Sequence, residues 1–399
     1  MEFPDLAQAK EKITDLFADE KKIAVDDVYV IASPYRICPL GAHIDHQGGS
    51  VLGMTINAYT LLAFRPTVDG TVRLKSKNYP GEVGFELDRI PETTKSFWGV
   101  YARAAALALK EAYAIEKGVT GLLDGMLPGC GLSSSASVLL AYLHAFVTAN
   151  HIRLQPWDYV RLTQRAENRY IGLKNGILDQ TSIVFGRKGY LLHIDTKAEK
   201  VSELPQRPGG TRYRILVAYS GYSRELTTSG YNTRVQECRE AAARLSRLAG
   251  SGSAQILSDV PEEAFGLYGH KLAPDIGRRA HHYFKEVQRV RKGVIAWQEG
   301  LIDVFGDLMF ESCRSSMDQY ECGIQAIYDL QKIVSSSDGM LGSRFMGGGF
   351  GGCVVGFVKH DRAAAATSGI QQAYRKLHPE VADQAMVYLT DSADGVRFL

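Results

Sequence analysis

Arg36, His43 and Asp45 fall within one short segment, Arg36-Ile-Cys-Pro-Leu-Gly-Ala-His-Ile-Asp-His-Gln47. They put a permanent cation, an imidazole and a carboxylate on a stretch interrupted by Gly41. That mixture suits a polyol, whose hydroxyls each donate once and accept twice. Ala42 sits inside the polar run and offers a hydroxyl nothing.

A second cluster is Gly129-Cys-Gly-Leu-Ser-Ser-Ser-Ala-Ser137, ahead of the apolar run Ser-Val-Leu-Leu-Ala-Tyr-Leu-His-Ala-Phe. A glycine turn lets backbone approach an anion closely, and a helix N-terminus aims unsatisfied N–H groups at it. Ser133, Ser134 and Ser135 could add donors to a phosphate, or one oxygen ligand to Mg²⁺. The plainer alternative is a serine N-cap after a glycine turn. No G-K-[ST] follows, so the segment is not a Walker A loop. Gly347-Gly-Gly-Phe-Gly-Gly352 satisfies G-x-G-x-x-G, but the strand-like Cys-Val-Val-Gly-Phe-Val follows it where a dinucleotide fold needs a helix. Glu167 and Asp179 stand twelve positions apart. A lone Glu on a helix is usually a solvated face. Asp179 lies in Gly-Ile-Leu-Asp-Gln, where an unpaired carboxylate would be costly to bury, and Arg36 is a candidate partner.

The elements that must position these groups are legible in outline. Residues 26–75 alternate β-rich runs with turns. The pattern turns helical from Trp98 to Lys117, and the run after Ser135 is apolar on nearly every face, as in a buried helix. Residues 156–172 are helical and 189–195 strand-like; the polar, Pro/Gly-rich stretch 197–212 is the best candidate for a domain boundary. Beyond it, Arg-Ile-Leu-Val-Ala-Tyr-Ser opens a half that is mostly helical to about Val334 and ends in a strand, a helix near 362–377 and a terminal strand pair. At the start, Ile13, Leu16 and Phe17 fall on one side of a helix.

At 399 residues the chain exceeds what one hydrophobic core usually supports, so two domains are expected, at 1–205 and 206–399. With 45% hydrophobic and 23% charged residues it has the composition of an ordinary globular protein. A net charge of +2 without blocks of like charge argues against a nucleic-acid partner. No stretch approaches the ~18 apolar residues of a membrane span, and the mixed-charge N-terminus does not read as a signal peptide. The six cysteines are scattered with no C-x-x-C pair, which suits buried reduced thiols and a cytoplasmic setting.

Three of these segments together resemble the signatures of the GHMP small-molecule kinases, galactokinase branch. The Arg36 loop resembles R-V-N-L-I-G-E-H-T-D-Y, with Ala42 where the signature has Glu. Pro-Gly-Cys-Gly-Leu-Ser-Ser-Ser-Ala is similar to P-x-G-x-G-L-S-S-S-A, and Ser-Arg-Phe-Met-Gly-Gly-Gly-Phe-Gly-Gly resembles the third, glycine-rich signature. The stretch from Glu167 to Gln180 resembles E-H-x-F-x-G-x-x-x-G-I-M-D-Q. Phe97-Trp98-Gly-Val-Tyr101 is similar to a W-x-x-Y stretch whose Trp stacks on adenine, and Tyr231 matches a Tyr that approaches the sugar. Galactokinases carry a basic residue eight positions before that Tyr; here Ser223 holds the place and Arg224 follows.

The resemblance implies an α+β fold: an N-terminal α+β domain, a C-terminal ferredoxin-like α+β domain, and a site in the cleft between them. It implies ATP and Mg²⁺, with phosphate held at Gly129, Gly131, Ser133, Ser134, Ser135 and Ala136, the base at Trp98, and the metal on Glu167 and Ser135. Asp179 would face the reacting C1 hydroxyl, as base or as orienting group, with Arg36 beside it. Ala42, His43, Asp45, Gly176 and Tyr231 would contact the sugar. In galactokinases the Glu missing here lies near the C6 hydroxyl. A fixed Glu would repel a C6 carboxylate, so its absence suits galacturonate, and the loop is also similar to that of the plant enzymes acting on this sugar acid. The alternatives are galactose, arabinose or glucuronate as substrate, or a non-catalytic sugar and ATP sensor.

Overall fold

The computed structural model describes residues 1–92, 98–207, 209–223 and 230–399. Among these the strands form two sheets. The first half runs α1 (Leu6–Lys21), β1 (Tyr29–Ile37), β2 (Val51–Pro66), β3 (Thr71–Ser76) and β4 (Glu82–Glu86). It continues through α2 (Val100–Lys110), β5 (Val119–Gly125), α3 (Ser134–Ala149), α4 (Pro156–Arg165), α5 (Leu178–Phe185), β6 (Tyr190–Asp195) and β7 (Lys200–Pro205). The second half runs β8 (Tyr213–Tyr219), α6 (Tyr231–Leu248), α7 (Glu262–Tyr268), α8 (Pro274–Gln298), α9 (Ile302–Asp318) and α10 (Gln325–Ser335). It closes with β9 (Met340–Phe345), β10 (Cys353–Lys359), α11 (Ala363–Leu377), β11 (Met386–Thr390) and β12 (Arg397–Phe398).

The larger sheet is ordered β12-β1-β2-β5-β3-β4, with β6 on the first residues of β2 and β7 on β6. β2 is apolar on both faces because both are covered. Leu62 and Phe64 face α2 and α3, while Leu61 and Ala63 face α1, the alternation a pleated strand imposes. α3 is buried almost all round, as its sequence requires, and Ser137 Oγ is satisfied by donating to Ser33 O at 2.8 Å. The smaller sheet is antiparallel and ordered β11-β8-β10-β9. Taken in chain order its strands sit 4-1-3-2 in a β-α-β-β-α-β succession, the ferredoxin-like pattern. The α+β fold class expected from the sequence is the one observed.

Several local expectations are corrected. Residues 200–205, within the stretch read as a linker, form β7, because Val201 and Leu204 place apolar groups against the core while the backbone pairs with β6. The terminal strands do not pair with each other: β11 lies on β8, and β12 returns to β1, with Phe398 opposite Ile31. The opposite end of the chain makes the reciprocal crossing, with Glu2 bridging to Leu389 and Phe3 stacked on Tyr388 at 4.5 Å. The helix expected from Trp98 to Lys117 ends at Lys110, ahead of β5. On α1, Ile13 and Phe17 are buried as expected, but Leu16 is 44% exposed, since the face meeting the sheet runs through Thr14 and Ala18 instead. All six cysteines are unbridged and buried. Among the described residues no helix is long and apolar enough to cross a membrane.

The contrast on α1 is testable by urea denaturation. Phe17→Ala should cost about 3–5 kcal/mol of stability, whereas Leu16→Glu should stay within about 0.5 kcal/mol. Equal effects would put the buried face elsewhere.

Candidate active site

One cavity of about 730 Å³ collects most of the chemistry-bearing residues. It is bordered by the loop after β1, the N-termini of α3, α5 and α6, and the turn at Gly347 and Gly348. Both halves of the chain therefore contribute. A concave site with a few convergent polar groups is the form small-molecule sites take.

At its floor lies an ion pair. Arg36, at the end of β1, is 3% exposed, and both its Nε and Nη2 lie 2.7 Å from Asp179 Oδ1. Burial alone would weaken the guanidinium's hold on its proton, but the Asp179 carboxylate outweighs that and keeps it charged. Arg36 Nη1 also donates to Gly131 O at 3.4 Å, which ties the pair to the glycine turn. Asp179 occupies the first turn of α5, where the helix dipole favours negative charge.

The serine cluster is more than a cap. Ser133 adopts a left-handed conformation (φ 61°) and makes no capping bond. Its Oγ is buried and has no hydrogen-bond partner among the described residues. Ser134 Oγ instead accepts from Gly129 N at 3.0 Å, folding the turn back on the helix start. A side chain at Gly131 would come within 3.2 Å of Met346 O, and one at Gly352 within 2.6 Å of Cys130 O. The second and third glycine segments thus lie in backbone contact, forming a cradle at the N-terminus of α3, whose first N–H groups have no intrahelical partner, beside the unsatisfied Ser133 hydroxyl. That donor set fits the phosphates of a nucleotide. Ser134 and Ser135 border the cavity; Ala136 does not, being buried with Leu140 and Ile183.

On the sugar loop, Ala42, His43 and Asp45 all border the cavity. His43 has φ 64° and its ring stacks on Tyr320 at 4.5 Å. Burial, with the nearby Asp179 charge, pushes the Asp45 carboxyl up to about 6, against the pull of the Leu178 N–H at 3.3 Å. Gly176 lies off the cavity, pressed so closely on Asp45 that a side chain there would meet its Oδ2 at 2.4 Å. Tyr231, first residue of α6, lines the cavity and meets the His46 ring edge-on. Trp98 is half-buried beside Tyr79 and Tyr101, with its Nε1 donating to Pro80 O at 3.2 Å.

Glu167 is buried behind the cavity wall, in a π-helical turn over Ala166–Ile171 that follows α4. Asn175, which does line the cavity, donates through Nδ2 to Glu167 Oε2 at 2.6 Å. No cluster of three or more His, Cys, Asp or Glu in metal-binding geometry occurs among the described residues. A single carboxylate and a serine hydroxyl still suit Mg²⁺, which commonly completes its shell with water and phosphate oxygens.

Sequence reasoning missed Tyr35, Asn78, Tyr79, Tyr170 and Asn175, all of which border the cavity. Asn78 was findable: in Asn-Tyr-Pro-Gly it marks a turn, and its amide closes on both Gly125 N and Gly125 O at 2.7 and 2.8 Å. Ser223 borders the cavity, whereas Arg224 and Phe97 lie outside the described residues.

The comparisons with known proteins agree with this geometry. Residues 100–187 match the family described as GHMP kinases N terminal domain, 295–376 GHMP kinases C terminal, and 17–66 the galactokinase galactose-binding signature. A galacturonokinase of Arabidopsis thaliana is 40% identical over 99% of this chain and 98% of its own. A galactokinase of Roseiflexus sp. (strain RS-1) is 33% identical over 92% of each. The crystal structure of Lactococcus lactis galactokinase complexed with galactose superposes with a TM-score of 0.88 at 31% identity, over 97% of this chain and 98% of that one. On the order of its three signatures, its fold and these similarities, the chain belongs to the GHMP kinase family of ATP-dependent kinases, in the branch of sugar kinases that holds the galactokinases and galacturonokinases.

Proposed function

We propose that this enzyme transfers the γ-phosphoryl group of ATP to the C1 hydroxyl of D-galacturonate, giving galacturonate 1-phosphate and ADP. The observation that carries the sugar assignment is Ala42: a small side chain borders the cavity where the galactokinase signature has Glu. The Arabidopsis relative named for this activity supports the same reading. Galactose is the second reading, favoured by the match to the galactose-binding signature.

In this reading the sugar lies against Ala42, His43, Asp45 and Tyr231 with its C1 hydroxyl toward Asp179. Gly176 keeps Asp45 in place. The phosphates lie along Gly129 to Ser135 and the base against Trp98. Glu167 and Ser135 would hold Mg²⁺, which when bound would neutralise charge on the phosphate oxygens. Phosphoryl transfer asks mainly for positioning and charge stabilisation. The sugar oxygen forms a bond to the γ-phosphorus as the bond to the bridging β–γ oxygen breaks, and ADP leaves with that oxygen. The proton of the C1 hydroxyl passes to Asp179 and then to solvent. Arg36, paired with Asp179 at 2.7 Å, holds the carboxylate in place beside the hydroxyl, and a loose transition state asks little of a base because the hydroxyl sheds its proton late. The change of sheet between β7 and β8 supports a division of the chain near residue 206.

Ala42→Glu should reverse the sugar preference. Two like charges ~4 Å apart at an effective dielectric of ~20 repel by about 4 kcal/mol, or roughly a thousandfold in kcat/KM for galacturonate. Galactose should gain on the order of 1 kcal/mol from a hydrogen bond to its C6 hydroxyl. The assay is coupled ADP release with both sugars on both proteins. A wild type preferring galactose, or a galacturonate rate indifferent to the substitution, would sink the C6 argument.

Asp179→Asn should lower kcat by more than ~100-fold, about 2.7 kcal/mol of barrier, while ATP still binds. It should also lower the melting temperature, since it leaves the buried Arg36 charge without its counter-ion. A rate within about tenfold of wild type would make Asp179 purely structural.

Asp45 gives a pH prediction. Its folded-state carboxyl titrates near 6, above the model-peptide value of 3.8, so its ionised form opposes folding. That cost is absent well below 3.8 and complete above 6. Asp45→Asn should therefore raise the melting temperature at pH 8, leave it nearly unchanged at ~pH 3.5, and weaken sugar binding. Thermal melts at the two pH values decide; a stability gain equal at both would remove the titration from the account.

A further inference from the structure

Behind the sugar loop lies a buried polar layer that the transfer reaction does not use. His282 and Glu286, one turn apart on α8, are both 0% exposed. Polar side chains this deep need partners, and each finds one on the loop's backbone. Gly41 N–H donates to Glu286 Oε1 at 2.7 Å, and Ala42 O lies 2.9 Å from His282 Nε2. The two bonds grip the loop on either side of the Gly41–Ala42 peptide.

The layer is fully specified. A carbonyl only accepts, so Nε2 of His282 carries the proton and Nδ1 accepts from Ser315 Oγ at 2.9 Å. Burial lowers the imidazole to about 4, which keeps it neutral. Burial would raise the Glu286 carboxyl, but the Arg289 and Arg344 charges and the Ser312 hydroxyl outweigh it and hold it at about 2. Arg289 Nε donates to its Oε2 at 2.7 Å and Ser312 Oγ to its Oε1 at 2.5 Å, so the carboxylate cannot swing. The gripped turn is one the chain would not hold readily by itself. Gly41 and His43 both have positive φ, 93° and 64°, on either side of Ala42, and the second is unfavourable for a histidine.

We infer that His282 and Glu286 are positioning residues for sugar recognition: through the backbone of Gly41 and Ala42 they set where residue 42 and His43 meet the sugar, and so help set the choice between a C6 carboxylate and a C6 hydroxyl. The inference rests on the reading of residues 36–47 as the sugar loop. It assigns part of the specificity of a loop in the first half of the chain to a helix in the second.

The test is steady-state kinetics of the full chain with galacturonate, galactose and ATP as separately varied substrates. His282→Phe keeps a ring and removes the donor to Ala42 O; His282→Gln restores an N–H near the position of Nε2; His282→Asn is too short to reach. His282→Phe should raise the galacturonate KM at least tenfold, leave the ATP KM within about twofold and kcat within about threefold, and shift the galacturonate-to-galactose preference at least fivefold. His282→Gln should recover a galacturonate KM within about threefold of wild type. An unchanged sugar KM, a parallel rise in both KM values, or a Gln variant as impaired as the Phe variant would overturn the inference. If the Phe variant does not fold, the Gln and Asn pair decides, and equal sugar KM values for the two would overturn it. Failure of the sugar assignment itself would appear separately, in the wild-type substrate preference.

Discussion

A guanidinium sealed from water is intolerable without a carboxylate, and Arg36 is 3% exposed. Its counter-ion, Asp179, is 143 positions away, and the same side chain also reaches Gly131 O. The loop after β1, the glycine turn before α3 and the first turn of α5 must therefore meet at one point. That meeting defines the floor of the cavity. Much of the rest of the site can be read as what keeps this pair dry on one side and open to ligand on the other. β2, buried on both faces along most of its length, seals the sheet beneath, and α3 lies over it, itself buried at most positions.

Where a reaction is largely positioning and charge neutralisation, rigidity of backbone matters as much as reactivity of side chains. The site has that character. Its cradle is made from two glycine segments in contact, and Ser134 closes the turn from within. Asp45 is kept at a cost to the fold, with its carboxyl raised to about 6 by burial beside another acid. Residues retained against the interest of stability are a common mark of function.

The sequence was most informative where chemistry and local geometry coincide on a few consecutive residues. The Arg36 loop, the serine cluster and the glycine-rich third segment could be read because each needs particular residue types in a row. The buried helix after Ser135 followed from a run apolar on nearly every face, and the fold class from the resemblance those motifs carry. What escaped depends on contacts distant in sequence. Nothing around Val201 announces that Lys200–Pro205 will pair with β6 rather than run on as a linker. Asn175 matters through Glu167, and His282 through the backbone of Ala42, 240 residues away. Leu16 was assigned to the wrong side because a helix of mixed charge has a narrow apolar stripe, and only the sheet beneath fixes which side docks.

The two crossings at the ends of the chain carry a consequence of their own. Glu2 and Phe3 join the edge of the smaller sheet at β11, while β12 completes the edge of the larger one at β1. Each sheet borrows its outermost partner from the far end of the polypeptide, as two pages might be laced through opposite margins. A gene fragment ending between β7 and β8 would leave β1 with a bare edge, and the remaining fragment would lack the cover over β11. The halves are thus interdependent as building blocks, and recombination that exchanged one of them for a foreign counterpart would have to carry the matching terminal segment along with it.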